Sequence, residues 1–145
     1  MKGLRVRWMT PADLAAVAGL CAQLGYPCTL GDLARRFDRI RSEADHAMLV
    51  AELADESVAG WIHVHPVHTI ESDSYAEIGG LVVDERCRRQ GAGRALVAEA
   101  EKWAREQGFG RLRVRSNIVR PEAHAFYPGL GFELMKTQHT YGRTL

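Results

Sequence analysis

The sequence predicts a single α/β domain (α+β in some classifications) with a mixed central sheet of about six to seven strands and helices on both faces. Three observations support this fold class. The chain has 145 residues, enough for one hydrophobic core but too few for two ordinary domains. Segments with helical spacing of apolar residues are interspersed with segments in which apolar and polar residues alternate. The predicted order, β-α-α-β-β-β-α-β-α-β, lacks the strict strand–helix alternation of a dinucleotide-binding fold.

The first predicted elements are a strand, Leu4 to Trp8, and two helices. Thr10 can cap the first helix and Pro11 suits its first turn. Apolar residues then recur at helical spacing until Gly25 ends the run. The second helix begins at the segment 29–32, and its apolar residues again share one face.

Three strands are predicted next. Ala47–Leu53 and Val58–Val64 flank the polar turn Asp55-Glu56 and form a hairpin. A polar loop, Pro66–Ser74, leads to Tyr75–Val83, the most apolar strand of the chain.

The last third of the chain adds four elements. Gly91 to Gln107 has the clearest amphipathic helical pattern, and Arg111–Ser116 alternates like a half-exposed strand. Pro121–Tyr127 is a short helix, and a last strand region extends from about Phe132 to Tyr141. The whole chain, residues 1–145, is thus expected to form one domain.

Composition and charge exclude several classes of protein. Lys and Arg total 19 against 18 Asp and Glu, a net charge of +1 that argues against nucleic-acid and membrane-surface partners. No run approaches the ~18 apolar residues of a membrane helix, and no secretory signal is recognisable. The three cysteines, Cys21, Cys28 and Cys87, lack disulfide or metal spacing. We therefore expect free thiols and a cytoplasmic location.

The strand–turn–helix unit from Leu81 to Leu96 carries a weak anion-binding signal. Gly91 and Gly93 come where a strand ends and a long helix begins, and three arginines flank them. Free N–H groups at a helix start attract phosphate. The dinucleotide fingerprint needs a third glycine where Leu96 stands, and a phosphate-loop Gly-Lys-Ser/Thr is missing. By itself the segment fits a glycine-rich helix start with solvated arginines equally well.

Two motifs together resemble the GNAT (general control-related N-acetyltransferase) superfamily. Arg88-x-x-Gly91-x-Gly93 after an apolar strand is similar to motif A, and the segment from Asn117 through Phe126-Tyr127 to Leu130-Gly131-Phe132 is similar to motif B. Order and spacing match over nearly the whole chain. The resemblance implies the GNAT fold, transfer of acetyl from acetyl-CoA to a primary amine, and a homodimer.

The resemblance also implies a set of acetyl-CoA-binding residues. The second half of the strand Tyr75–Val83 would be bulged at Gly79-Gly80 and pair with the pantetheine arm; alternatively, the glycines only weaken the strand. A backbone N–H near Leu81 or Val82 would polarise the thioester. Asn117 would hold the arm or only cap a turn. The full set is Leu81, Val82, Val83, Arg88, Arg89, Gln90, Gly91, Ala92, Gly93, Arg94, Asn117 and Tyr127.

Tyr127 and Glu77 are the catalytic residues that the resemblance implies. Tyr127 would protonate the departing thiolate, because a phenol is protonated at neutral pH; otherwise it is a core aromatic. Glu77 precedes Arg88 by eleven positions, as the strand base of histone-type members does. Alternatively, its carboxylate only faces a cationic acceptor.

We expect no metal site. His63, His65 and His68 could form a zinc site, but they lack an acidic or cysteine ligand at supporting spacing. The acceptor is expected to be a small molecule, recognised by residues 23–37 and the loop Pro66–Ser74. The alternatives are a non-catalytic acyl-CoA-binding sensor and an acetyltransferase that acts on an amine of a protein or peptide.

Overall fold

A computed structural model describes residues 3–116 and 121–145. Its contacts divide the chain into two compact units, Met1–Arg115 and Ser116–Leu145. The first unit contains five strands in the order in which they occur along the chain. They are β1 (Arg5–Trp8), β2 (Ala47–Glu52), β3 (Val58–Val67), β4 (Tyr75–Val83) and β5 (Leu112–Val114).

Three helices accompany this sheet: α1 (Leu14–Leu24), α2 (Leu30–Arg41) and α3 (Ala92–Glu106). Thr29 caps α2, since its hydroxyl oxygen accepts the N–H of Asp32 at 3.0 Å. Short 3₁₀ turns, Pro11–Asp13 and Glu85–Cys87, precede α1 and α3. The described part of the second unit contains one helix, α4 (Pro121–Gly129).

The sheet is mixed. The pairs β1–β2, β2–β3 and β3–β4 are antiparallel, whereas β5 is parallel to β4. Helix α3 covers one face of the sheet. Gly60 of β3 lies so close to this helix that a side-chain carbon added to it would be 3.3 Å from Leu96. On the other face Trp61 lies beside Cys21 of α1. The predicted helices on both faces are therefore confirmed for this unit.

Buried aliphatic side chains from the strands and helices form the core of the first unit. Ile62 and Val64 of β3 are fully buried, as are Leu96 and Val97 of α3. Burial of such side chains contributes ~1.5–3 kcal/mol each, which makes the contact between α3 and the sheet a main source of stability.

The prediction of six to seven strands was too high, because the described residues contain five. The expected last strand, Phe132–Tyr141, has no regular structure. A strand needs a hydrogen-bonding partner, and the segment 132–145 contains exposed apolar residues, such as Leu134 and Tyr141, instead of a buried alternating face. α4 also continues through Pro128 to Gly129 and not only to Tyr127. That the chain forms one domain stays a prediction.

Candidate active site

Strand β4 is bulged and paired on both sides along only part of its length. Ile78 pairs with Val64 and Gly80 with His63, so Gly79 is an extra residue in the ladder. On the other side β5 pairs with residues 76–78 only. Within the described residues, Gly79 to Val83 therefore have no strand on that side. The bulge predicted at Gly79-Gly80 is confirmed, and it leaves backbone groups available to an extended ligand.

A tight turn connects β4 to α3. Arg89 and Gly91 both have positive φ, 65° and 91°, and Gly91 is the N-cap of the helix. The first helical hydrogen bond goes from the Ala95 N–H to the Gly91 oxygen, at 3.0 Å. The preceding N–H groups, of residues 92–94, therefore have no acceptor within the helix. This end of α3 attracts an anion through those groups and the helix dipole.

The three arginines of this segment are exposed: Arg88, Arg89 and Arg94. None forms an ion pair with an acidic side chain in the part of the chain that the structure describes. Their charges therefore remain available to a phosphorylated ligand, and guanidinium groups bind phosphate oxygens in a bidentate way.

Asp84 fixes the other end of the turn. Its buried carboxylate accepts hydrogen bonds from the Arg86 N–H at 3.0 Å and from the Arg86 side chain at 2.9 and 3.2 Å. These bonds to Arg86 lower the pKa of Asp84 to about 2. Gln23 of α1 adds a bond from the Glu85 N–H to its side-chain oxygen, at 3.0 Å. The turn is thus held to α1 as well as to the sheet.

Glu77 lies on β4 next to the bulge, and its side chain is 13% exposed. Its carboxylate accepts a hydrogen bond from Arg115 Nε at 3.1 Å. The second carboxylate oxygen is 3.9 Å from Nε2 of His65. Sequence reasoning placed Glu77 here but did not foresee Arg115 or His65 as its neighbours.

Three histidines from β3 and the residue before β2 form a cluster, here called the histidine cluster: His46, His63 and His65. Their ring centroids are 5.0–5.2 Å apart. Nδ1 of His46 and Nε2 of His63 are 2.9 Å apart, a hydrogen bond. Burial, and then the charges of the two neighbours, lower the pKa of His63 to about 4.

The composition of this cluster corrects the sequence-based grouping. His68 was grouped with His63 and His65, but it lies apart, with Nδ1 2.6 Å from the hydroxyl of Ser74. His46 takes its place. Among the described residues, no group of three or more histidine, cysteine or acidic side chains is arranged to hold a metal ion.

Tyr127 belongs to α4 of the second unit. Its ring packs edge-on against Phe126 and Phe132, with centroids 5.1 and 5.6 Å apart. Burial raises the pKa of Tyr127 to about 12. The phenol is therefore protonated at neutral pH. Asn117, the other motif-B residue, lies outside the described residues.

The predicted cofactor residues of the first unit form one continuous strand–turn–helix. Leu81 to Val83 end β4, and residues 88–94 make up the turn and the start of α3. Ala92 and Gly93 are buried, so the helix end rests on the core while the arginines remain exposed. The segment therefore presents an unpaired strand edge, followed along the chain by N–H groups that can bind an anion. An extended ligand with a phosphate group requires both features.

The family model and the relatives that match this chain indicate the same family. The model of the acetyltransferase (GNAT) family matches residues 17–132. An aminoglycoside N(6′)-acetyltransferase type 1 from Stenotrophomonas maltophilia is 31% identical over 132 residues, which cover 88% of this chain and 85% of that protein.

Solved structures share the fold. Aminoglycoside antibiotic 6′-N-acetyltransferase AAC(6′)-Ih from Acinetobacter baumannii is 16% identical and has a TM-score of 0.85 over 99% of both chains. Aminoglycoside N-acetyltransferase AAC(6′)-Iy in complex with CoA is 18% identical with a TM-score of 0.85, covering 98% of this chain and 95% of the other. At these identities the likeness defines the fold, which agrees with the fold class predicted from the sequence.

Proposed function

Because the chain belongs to the GNAT acetyltransferase family, we propose that it transfers acetyl from acetyl-CoA to a primary amine of a small molecule within a ternary complex. The observation that carries this proposal is the continuous strand–turn–helix from Gly79 to Arg94. It combines a half-paired strand with a helix N-terminus. The group that such a segment suits is long, extended and phosphorylated, as coenzyme A is.

The cofactor residues are proposed to divide this task. The pantetheine arm pairs with the backbone of Leu81 and Val83, as an added strand does. The pyrophosphate binds at the N–H groups of residues 91–94, with Gln90 beside them, and charge from Arg88, Arg89 and Arg94 compensates it. Asn117 is assigned to the arm from its motif alone and stays a prediction.

The proposed reaction is direct attack. A neutral amine adds to the thioester carbonyl, the backbone N–H of Leu81 or Val82 stabilises the oxyanion, and the carbon–sulfur bond breaks. Tyr127 donates its proton to the departing thiolate and regains one from the acetylated nitrogen. The products are the amide, coenzyme A and the one proton that the ammonium form of the amine loses.

We propose that the Glu77 carboxylate faces the acceptor amine when the amine is bound. This carboxylate is largely shielded from solvent and lies beside the bulge, where a cationic amine would approach the thioester. The relatives named above act on aminoglycosides, so amino sugars come first in a panel of acceptors. Polyamines, amino acids and peptide amines complete the panel.

Location and oligomeric state are separate from the reaction itself. No helix in the described part of the chain is long and apolar enough to cross a membrane. A cytoplasmic location and a homodimer stay predictions, and light scattering of the purified protein tests the second.

Coenzyme A release tests the proposal. Purified protein is mixed with acetyl-CoA and each amine of the panel, and free thiol is followed with a chromogenic reagent; calorimetry measures acetyl-CoA binding in parallel. We expect thiol release that depends on both protein and one class of amine. Binding of acetyl-CoA without release on any amine would instead favour the acyl-CoA sensor.

A further inference from the structure

Two imidazole nitrogens of the histidine cluster border the space above Gly79. A side-chain carbon added at Gly79 would lie 3.1 Å from His63 Nδ1 and 3.2 Å from His65 Nε2. Gly79 itself is exposed. The missing side chain therefore leaves room where a small polar group from solvent can contact both nitrogens at hydrogen-bond distance.

The hydrogen bonds of His65 define which of its nitrogens is basic. Nδ1 lies 3.0 Å from the carbonyl oxygen of Pro66, which can only accept, so Nδ1 carries the proton. Nε2 of the neutral ring then has a free lone pair. That atom is the one that faces Gly79 and lies 3.9 Å from Glu77.

Glu77 places a negative charge beside Nε2 of His65. A proton that arrives at Nε2 creates an imidazolium between the Pro66 carbonyl oxygen and the Glu77 carboxylate, which Arg115 holds in place. The Pro66 carbonyl oxygen orients the ring, and the Glu77 carboxylate stabilises the imidazolium by its charge.

The other two histidines are less suited to receive the proton. His63 shares its Nε2 with His46, and burial together with the charges of its two neighbours opposes protonation. Burial, and then the charge of His65, also lowers the pKa of His46, although Asp45 and Glu43 oppose that shift. Burial and the charges of neighbouring rings thus oppose a positive charge on His63 and His46, whereas His65 has the Glu77 carboxylate beside it.

We propose that His65 is the proton acceptor for the amine substrate, with Glu77 as the carboxylate that stabilises the resulting imidazolium. This inference rests on the proposed function. The ammonium gives one proton to Nε2 of His65, and the freed lone pair of the amine attacks the thioester carbonyl. The imidazolium then returns its proton to solvent, so no further reactant is needed.

Replacement of His65 by Gln tests the proposal, with His139→Gln as a control because His139 is exposed and its ring stacks on Tyr141 of the same unit. General-base catalysis contributes ~10²–10⁴-fold, so we expect kcat/KM to fall by ~100-fold or more in H65Q with the Kd of acetyl-CoA unchanged. The part of the pH–rate profile that depends on neutral His65 should be absent in H65Q. H139Q should keep the wild-type profile.

An acceptor that is already neutral at the assay pH separates proton transfer from structural damage. With an amine of low ammonium pKa the base is not needed, and the deficit of H65Q should shrink to less than ~10-fold. Equal activity of H65Q and wild type, or an equal deficit on both kinds of amine, would overturn the role of His65 while leaving acetyl transfer intact. Absence of turnover by the wild type on every amine would instead remove the proposed function and this inference together.

Nitrogen-15 NMR of the histidine rings gives a test on the wild-type protein that needs no turnover. We expect neutral His65 to carry its proton on Nδ1. A spectrum with the proton on Nε2 would contradict the proposal, because that atom could not accept the proton of the amine.

Discussion

Nδ1 of His46 lies 2.9 Å from Nε2 of His63, and this hydrogen bond joins the residue before β2 to the middle of β3. One of the two nitrogens must donate and the other accept, so the bond requires at least one ring to be neutral at that contact. Both rings are also partly withdrawn from solvent. The His46–His63 hydrogen bond is therefore lost when both rings are protonated, so this pair is sensitive to acid.

Acid should destabilise the fold through His63. The unfolded ring binds a proton near its ordinary pKa of 6.5, but the folded ring does so only near 4. Between these values the unfolded state binds more protons, so the free energy of unfolding rises with pH. The contribution of His63 is fully present above pH 6.5 and is lost as the pH falls towards 4. The effect is on the order of 3 kcal/mol.

Urea unfolding at a series of pH values measures this dependence. His63→Gln removes the titrating ring, and its stability should change less than that of the wild type between pH 6.5 and 4. Identical slopes in the two proteins would show that His63 does not titrate as the structure indicates.

Gly79→Ala should impair the acceptor reaction. Its methyl group would meet the nitrogens of His63 and His65 at 3.1 and 3.2 Å, in the space proposed for the amine. We expect a ~10-fold or larger loss in kcat/KM for the amine, because a misplaced nucleophile loses much of its advantage of proximity. Acetyl-CoA binding should change little.

Gly19→Ala is the matched control for that substitution. Gly19 lies in α1, is exposed, and has no atom within 4 Å of an added carbon. Activity should be unaffected and stability should increase by up to ~1 kcal/mol, because alanine favours helix more than glycine does. Equal kinetics of the Gly79 and Gly19 variants would contradict the subsite at Gly79.

Gly91→Ala should weaken both the fold and the cofactor site. Gly91 has φ 91° at the N-cap of α3, a conformation that costs a residue with a Cβ ~1–2 kcal/mol. Calorimetry should show a raised Kd for acetyl-CoA, since the N–H groups that follow would be displaced. Gly110→Ala, at an exposed position with open space and ordinary φ, should retain the wild-type Kd; equal Kd values in both variants would argue against the turn as the anion site.

Tyr127→Phe should lower kcat at least ~10-fold with little change in acetyl-CoA affinity. The substitution keeps the edge-on contacts with Phe126 and Phe132 and removes only the hydroxyl, whose proton burial makes harder to lose. Steady-state kinetics and calorimetry measure the two quantities. Unchanged turnover would exclude Tyr127 as the proton donor.

Much of the first unit could be predicted from local patterns. The bounds of β4 and the bulge at Gly79-Gly80 agree with the sequence prediction, because glycines inside an apolar strand are a local signal. The start of α3 was predicted to within one residue, because Gly91 at the helix start is also a local signal. The final strand was not, because a strand depends on a partner that the pattern of residues 132–141 does not specify.

Side-chain neighbours that come from distant segments were the harder part of the site. Arg115 meets Glu77 because β5 pairs with β4 in parallel, a register that no local pattern fixes. His46 could have been found: a hairpin centred on Asp55-Glu56 pairs Ala47 with Val64, which brings the preceding His46 to His65. The grouping by sequence proximity chose His68 instead.

Mass spectrometry of a complete reaction tests the central claim most directly. Protein, acetyl-CoA and an amino sugar are incubated, and the acceptor and free coenzyme A are quantified together. We predict one acetylated amine for each coenzyme A released, and none when protein or amine is omitted. Saturable binding of acetyl-CoA with no acetylated product from any amine of the panel would contradict the account.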